Sequence, residues 1–328
     1  MNEHPESAPA DRETDNSLLS EILGGLGHEN KTLPSKLLYD ATGSELFRRI
    51  TELPEYYLTR TERKLLGDCA TDIVAAVPAD AGRARALVEF GASDESKAVS
   101  LLDVVEGRFA IYLAIDISPS VLGPIRARMQ VSHPRIKVET LLADFMRPFS
   151  IRDVIGHSQA VGFLPGSTIG QYSPATVVQF LENVRAAFLG AGRAGFVIGT
   201  DQCRDPQRVL PAYNDSAGIS KAFTLNILSH VNRLTAGTLD QRNFGHKAIW
   251  NPREERVEIY LVSRCAQSAR IGGQSISFAE GETIRTGMSY KYGRDRFLSI
   301  AAQAGWSSAG FWQDPHKVFA IHLLQADA

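Results

Sequence analysis

The sequence predicts an α/β fold built on a doubly wound, mainly parallel sheet, and three observations predict it. Five short apolar runs recur through the central third of the chain. Each closes on an acid, a glycine or a Gly-Ser-Thr step. A helix with one continuous apolar face separates the fourth run from the fifth. Strand and helix alternating at this spacing need crossover connections, and crossovers leave the strands parallel in one sheet.

In chain order, residues 1–16 are polar and acidic and lack the apolar segment of a secretory signal, so they are expected to fray. The first run, Ala86-Leu87-Val88, leads into Glu89-Phe90-Gly91. The second, Phe109 to Ile117, is rich in β-branched and aromatic residues and carries Asp116 near its end. The third, Ile136 to Ala143, stops at Asp144. The fourth, Ala160 to Leu164, ends in Pro165-Gly166-Ser167-Thr168, and the fifth, Ala194 to Gly199, in Thr200-Asp201. Before the fifth, Ser173 suits a helix cap and Pro174 the first helical position. Val177, Leu181, Val184 and Phe188 then recur at helical spacing, and Gly190 or Gly192 is the expected stop.

Composition narrows the function classes. The 328 residues are 44% hydrophobic and 22% charged, enough for a sizeable core and a solvated surface. Thirty-five basic against 37 acidic residues give a net charge of -2, with no Lys/Arg-rich run. Nucleic acid and anionic membrane are therefore not expected partners. No apolar run approaches the ~18 residues of a transmembrane helix. Cys69, Cys203 and Cys265 are odd in number, far apart and match no zinc spacing, which points to a reducing, cytoplasmic setting. The histidines fall singly, so no metal site is expected. Ser167 lacks a GxSxG elbow, which argues against a nucleophilic serine.

In doubly wound sheets the ligand sits beyond the carboxyl ends of the strands, where the strand order reverses. Those ends carry Glu89, Gly91, Asp116, Asp144, Phe145 and Gly166. A strand-end carboxylate accepts from both ribose hydroxyls, and glycine admits a ligand close to the backbone. Asp116 lies 27 residues beyond Glu89, roughly the spacing of about 20 residues expected for a ribose-binding acid. Asp144 followed by Phe145 suits binding and flanking an adenine. A strand-end aspartate is also an ordinary helix cap, so each feature is weak alone and the ordered set carries the adenosyl reading. The three-glycine phosphate fingerprint is absent, which favours a cofactor without pyrophosphate.

Several words of the sequence resemble the histidine α-N-methyltransferases of ergothioneine biosynthesis. They are SKLLYDATGSELF after Leu33-Pro34, ITELPEYYLTRTE at 50–62, LVEFG, AID, ADF and LPGSTIG. GTD at 199–201, AYND around Tyr213, VNRL at 231–234, HKAIWNPREERVEIYL at 246–261 and SYKY from Ser289 follow. They run in colinear order over nearly the whole chain. The resemblance implies a Rossmann-like class I methyltransferase core (63–204 and 291–328) and a second, substrate-binding domain (17–62 and 205–290). It implies S-adenosylmethionine (SAM), with Glu89, Gly91, Asp116 and Asp144 around it. It places Tyr39, Phe47, Tyr56 and Tyr213 in the substrate pocket, Tyr213 on the substrate carboxylate and Ser289 near the far end of the side chain. An electron-rich ring attracts a sulfonium or methylated ammonium, although any one of these tyrosines could equally be a core residue. His246 lies in a shared word but reads more simply as a hydrogen-bonded structural histidine.

Three departures from the family fall at important places. Ser93 stands where the family has a second loop glycine. Gln171 replaces an asparagine that holds the substrate's amine and carboxylate, and adds a methylene of roughly 1.5 Å. Gly287, two residues before Ser289, replaces a glutamate that pairs with the imidazole of histidine. Such a bond is worth about 1.5–3 kcal/mol. With Ile259 in place of the family's methionine, the distal pocket is expected to be roomier and less polar, and histidine is not the expected substrate.

The expectation is thus a monomeric, cytoplasmic SAM-dependent methyltransferase acting on a free amino acid. Either α-N-methylation of an aromatic amino acid or S-methylation of methionine fits the pocket. Tyr213 and Gln171 would orient the substrate while Tyr39 and Tyr56 line the reacting centre, Tyr39 polarising the nucleophile. Cyclisation or aminocarboxypropyl transfer from the same cofactor, or a silent SAM-binding module, are the alternatives that the altered loop at Ser93 leaves open.

Overall fold

All five apolar runs are strands in the computed structural model, which describes residues 9–78, 82–92, 95–104, 108–188 and 193–326. Along the chain come α1 (Pro9–Gly27), β1 (Lys31–Thr32), α2 (Ala41–Thr51) and α3 (Tyr57–Ala76). The five runs follow as β2 (Arg85–Phe90), β3 (Phe109–Asp116), β4 (Lys137–Leu142), β5 (Gln159–Leu164) and β6 (Ala194–Asp201). Between them lie α4 (Ser96–Leu102), α5 (Pro119–Ser132), the short α6 (Arg152–Ile155) and α7 (Pro174–Phe188). After the one-turn α8 (Pro206–Val209) come α9 (Ile219–Thr235), β7 (Phe244–Asn251), β8 (Arg256–Ser263), β9 (Gln267–Ile271), β10 (Gln274–Phe278) and β11 (Thr283–Tyr290). Helix α10 (Arg294–Gln303), β12 (Ser307–Gln313) and β13 (Phe319–Ala326) complete it.

The chain forms two compact units. One comprises Tyr56–Asp205, Arg253–Arg256 and Ser289–Ala328. Its seven-stranded sheet has the order β12-β13-β6-β5-β2-β3-β4. Strands β6, β5, β2, β3 and β4 are parallel, and β13 and β12 close one edge antiparallel. Strand order reverses between β2 and β5, which opens a crevice at their carboxyl ends. The strands read as continuous apolar runs because helices cover both faces, and β2, β5 and β6 are buried throughout.

Helix α7 has the predicted apolar face, widened by Phe180. Ser173 accepts from the Thr176 amide at its start. It ends at Phe188, while Gly190 and Gly192 lie outside the described residues, as does Ser93. Under α7, Phe90, Phe145, Phe180, Phe188 and Phe196 pack ring to ring. Fully burying one such side chain contributes about 1.5–3 kcal/mol. Gly162 is glycine because the Phe196 ring would lie 2.6 Å from a Cβ there.

The other unit comprises Met1–Glu55, Pro206–Pro252 and Val257–Met288. Its four-stranded sheet has the order β1-β11-β8-β7, beside a β9-β10 hairpin. Its core joins Ile22 and Leu26 of α1 and Leu37 and Leu38 to Ile227, Leu228 and Val231 of α9 and to strand residues such as Leu261.

The bounds of the two units lie near those expected from the sequence. The break between units falls after Glu55 rather than after Glu62, because α3 is one unbroken helix whose Leu65, Leu66 and Ile73 belong to the core of the parallel sheet. The later break falls after Met288, and Arg253–Arg256 goes with the parallel sheet. The segment expected to fray up to Asn16 is helical from Pro9 onward, and residues 1–8 lie outside the described residues. Among the described residues no helix is long and apolar enough to cross a membrane, and no three His, Cys, Asp or Glu side chains gather as a metal would require.

Candidate active site

The strand ends carry the residues that the sequence marked. Gly91 directly follows β2 at φ 68°, a left-handed conformation that glycine adopts without strain, and space lies open where a side chain would stand. Glu89 is buried one residue before the end of β2, and the Tyr112 hydroxyl donates to its carboxylate at 2.5 Å. Asp116 closes β3 and accepts from the Ser118 amide at 2.8 Å. Burial outweighs the hydrogen bonds from the Ser118 and Ile117 amides and pushes its carboxyl up to about 6. Asp144, beyond β4, accepts from the Met146 amide at 3.0 Å. Both aspartates thus shape local turns, and Asp116 is in addition a desolvated carboxylate that external donors would stabilise. Phe145, the ring expected to flank an adenine, directly follows Asp144. It is 8% exposed and packs edge-on against Phe90.

Beyond β5 the chain turns sharply. Gly166 and Ser167 both take left-handed backbone angles, φ 74° and 56°. Ser167 Oγ accepts from the Asp201 amide at 2.8 Å, and Thr168 Oγ1 donates back to the Pro165 carbonyl at 2.8 Å. A Cβ on Gly170 would lie 2.8 Å from the Tyr290 carbonyl and 3.5 Å from Ser289 Oγ, so this loop sits tightly on the end of β11. Gln171 ends the one-turn helix Thr168–Gln171. Tyr56, 7% exposed, stands at the start of α3.

Sequence reasoning missed the buried charges beneath this loop. Asp201 and Lys291 are both fully buried and pair at 2.6 Å. Lys291 also donates to Ser289 Oγ at 2.9 Å, and the Tyr57 hydroxyl lies 2.7 and 2.9 Å from the Asp201 oxygens. Tyr57 therefore faces the strand ends of β6, while its neighbour Tyr56 must point elsewhere. These residues sit inside the shared words LPEYYLTRTE, GTD and SYKY, but no spacing rule marks them.

In the other unit Tyr39 and Phe47 are brought together with Phe223 of α9. Tyr39 packs edge-on against both, with centroids 5.6 and 5.5 Å away. Phe223 was not singled out from the sequence. It lies on a helical face among apolar neighbours and gave no separate signal. Tyr39 is held from behind by Asp40, which caps α2 through the Gly43 amide at 2.7 Å and accepts from Asn226 at 2.6 Å. Gly43 is obligatory, since a Cβ there would lie 1.8 Å from the Leu38 carbonyl. Tyr213 is half-buried, and its carbonyl accepts from His246 Nε2 at 2.9 Å. Burial holds the His246 pKa below the usual histidine range, which keeps the ring neutral as a structural residue. Gly287 lies on β11 with ordinary van der Waals room above it, bounded by Ile259 Cδ1 at 3.5 Å and Leu38 Cδ1 at 4.0 Å from a Cβ position.

Known proteins are similar to this chain over nearly its full length. Residues 18–326 match a family described as histidine-specific, SAM-dependent methyltransferases. The chain is 35% identical over 311 residues to the histidine N-alpha-methyltransferase of Mycolicibacterium smegmatis, covering 94% of each protein. It is 31% identical over 313 residues to the enzyme of the same name from Mycobacterium tuberculosis, again covering 94% of each. It is 24% identical over 327 residues to the 4-dimethylallyltryptophan N-methyltransferase of Aspergillus fumigatus, covering 95% of this chain and 94% of that one.

The strand ends fit the cofactor this family uses. A desolvated Asp116 carboxylate is matched by the two hydroxyl donors of a ribose, and the open space at Gly91 admits a ligand against the backbone. With the doubly wound sheet, the strand-end acids and a family match spanning residues 18–326, the chain belongs to the histidine-specific, SAM-dependent methyltransferase family and is a SAM-dependent methyltransferase.

Proposed function

We propose that this methyltransferase acts on the α-nitrogen of a free amino acid whose side chain is larger and less polar than that of histidine, an aromatic amino acid above all. The observation that carries the proposal is the surrounding of Gly287. Where the family resemblance implies a carboxylate for the imidazole, this chain has bare backbone between the methyl groups of Ile259 and Leu38. Imidazole needs a polar partner when buried, whereas an indole or phenyl ring gains from apolar walls. A relative that acts on 4-dimethylallyltryptophan shows that the family's range extends to tryptophan-like substrates.

Asp116 and Asp144 are assigned to the adenosine part of SAM, and Glu89, Gly91 and Gly166 to its surroundings. Phe145 is assigned to the flank of the adenine. Tyr213 and Gln171 are assigned to the substrate's carboxylate and amine, Tyr39, Phe47 and Tyr56 to the walls of the reacting centre, and Gly287 and Ser289 to the distal end. When bound, SAM supplies an electrophilic methyl group on a cationic sulfur. The residues of the chain orient the amine lone pair on the line of the breaking bond and exclude water. The α-ammonium first loses a proton to solvent or a nearby phenol, and Tyr39 then accepts a hydrogen bond from an N–H of the neutral amine, which fixes the direction of its lone pair. The aromatic walls favour the positive charge that the amine acquires as methyl groups accumulate.

We assign the activity to a monomer in the cytoplasm. Cys69, Cys203 and Cys265 are all free thiols, in keeping with a reducing compartment. Light scattering after gel filtration reads the oligomeric state directly.

The test of the substrate is mass spectrometry of purified protein with SAM and each of the twenty amino acids. A +14 product on tryptophan, tyrosine or phenylalanine, with S-adenosylhomocysteine, is expected. A product from methionine would instead place the transfer on sulfur. Methylthioadenosine without any methylated amino acid would refute methyl transfer.

A further inference from the structure

One buried charge cluster takes no part in the transfer described above. Glu62 of α3 is 1% exposed. Its two oxygens accept from the Gly166 amide at 2.8 and 3.0 Å, and it pairs with Lys97 Nζ of α4 at 2.6 Å. Neighbouring glycines make room for this arrangement. A Cβ on Gly199 would lie 2.7 Å from Glu62 Oε1, and one on Gly166 would lie 3.5 Å from Lys97 Nζ.

The loop beyond β5 needs such a hold. Ser167 is in a left-handed conformation, φ 56°, which for a residue other than glycine persists only where its surroundings fix it. One side is fixed by Ser167 Oγ, which accepts from the Asp201 amide at 2.8 Å. The other side is fixed by Glu62 through the Gly166 amide. The same carboxylate holds Lys97 at the start of α4, immediately after the loop that follows β2. A single buried side chain thus ties the turn beyond β5 to the first turn of α4, on both sides of the point where strand order reverses.

We infer that Glu62 is a positioning residue for the cofactor, holding the Gly166 amide and the Lys97 ammonium in the geometry that SAM meets on binding. The inference rests on the assignment of Gly166 to the cofactor's surroundings. A neutral replacement keeps at most one acceptor for the amide and removes the anion from the ammonium. Charge-assisted bonds of this kind correspond to roughly a tenfold or larger change in affinity.

The experiment is calorimetric titration of the full chain with SAM, without amino acid, for the wild type, Glu62→Gln and Gly166→Ala. Amide exchange and thermal unfolding are followed in parallel. Glu62→Gln is expected to bind SAM about tenfold more weakly or worse. Faster exchange should be confined to residues 165–171 and the first turn of α4, with little change in Tm. Unchanged SAM binding in Glu62→Gln, with Gly166→Ala impaired, would overturn the positioning role. Weakened binding with faster exchange throughout the parallel sheet would also overturn it, because Glu62 would then only support the fold. Unchanged binding in both variants would instead remove the assignment of Gly166. Should the glutamine variant fail to fold, Glu62→Asp keeps the charge but draws it back by a methylene, and the same outcomes decide.

Discussion

Gly287→Glu should turn this enzyme toward histidine, and the local geometry sets the size of the effect. A Cβ at 287 meets Ile259 Cδ1 at 3.5 Å and Leu38 Cδ1 at 4.0 Å, ordinary contacts that require no backbone movement. Gly287 is not among the glycines with positive φ, so an L-residue is tolerated there. The new side chain would leave the backbone beside two apolar side chains, and desolvation of its carboxylate should lower the stability of the free protein by about 1–3 kcal/mol. An imidazole N–H supplies the missing partner, and a charge-assisted hydrogen bond contributes about 1.5–3 kcal/mol. The expected gain in kcat/KM for histidine is therefore roughly ten- to hundredfold, with a loss for aromatic amino acids that now meet a buried charge. Steady-state kinetics on both substrate classes, with a melting curve for each variant, measures it. A folded Gly287→Glu protein with no gain for histidine would refute the reasoning, as would a wild type that already prefers histidine.

Three further outcomes are expected. The Asp116 carboxyl is raised to about 6 in the free protein, and hydroxyl donors of SAM favour its ionised form. SAM affinity should thus be constant above that pH and fall as the group protonates below it, and calorimetry on Asp116→Asn should show the dependence gone. In the free protein the sign is opposite: a carboxyl raised above its unfolded value contributes stability at low pH that is lost as pH rises through about 6. His322 is fully buried between Phe297 and Phe311, neither ring nitrogen has a partner, and burial pushes its pKa down to about 3. With a folded pKa below the unfolded one, stability is full above about 6.5 and is lost as pH falls below it. His322→Leu should abolish that loss and raise stability at neutral pH by about 1–2 kcal/mol in urea unfolding, since two unsatisfied polar atoms disappear. Gly43→Ala drives a Cβ to 1.8 Å from the Leu38 carbonyl, so α2 must shift against Tyr39. A stability loss of about 1–3 kcal/mol with a raised KM for the amino acid is expected, and an unchanged melting curve would contradict it.

Much of the fold was legible because the parallel strands are short, apolar and punctuated. β3, β5 and α7 appear within a residue or two of where hydrophobic pattern and turn chemistry put them. Asp116 and Asp144 were legible for the same reason, since an acid that ends an apolar run can only stand at a strand's end. The direction of a side chain in the following turn is not encoded by any period, so the edge-on packing of Phe145 against Phe90 was unannounced. The buried ties were illegible because their partners are remote. Glu62 and Gly166 are 104 positions apart and Asp201 and Lys291 are 90 apart, separations that only the completed sheet brings to hydrogen-bond length. Phe223 illustrates a third case. Its role beside Tyr39 depends on which way α9 is rotated, and an apolar residue among apolar neighbours does not reveal that.

The measurement that bears most directly on the central claim is a one-pot competition. Equal concentrations of histidine and tryptophan are offered with SAM to the purified wild-type protein, and both α-N-methylated products are quantified by mass spectrometry at low conversion. The product ratio gives the ratio of kcat/KM values without separate calibration. The account predicts methylated tryptophan in excess, because Gly287, Ile259 and Leu38 offer apolar surface and no carboxylate to an imidazole. Methylated histidine as the dominant product would contradict it.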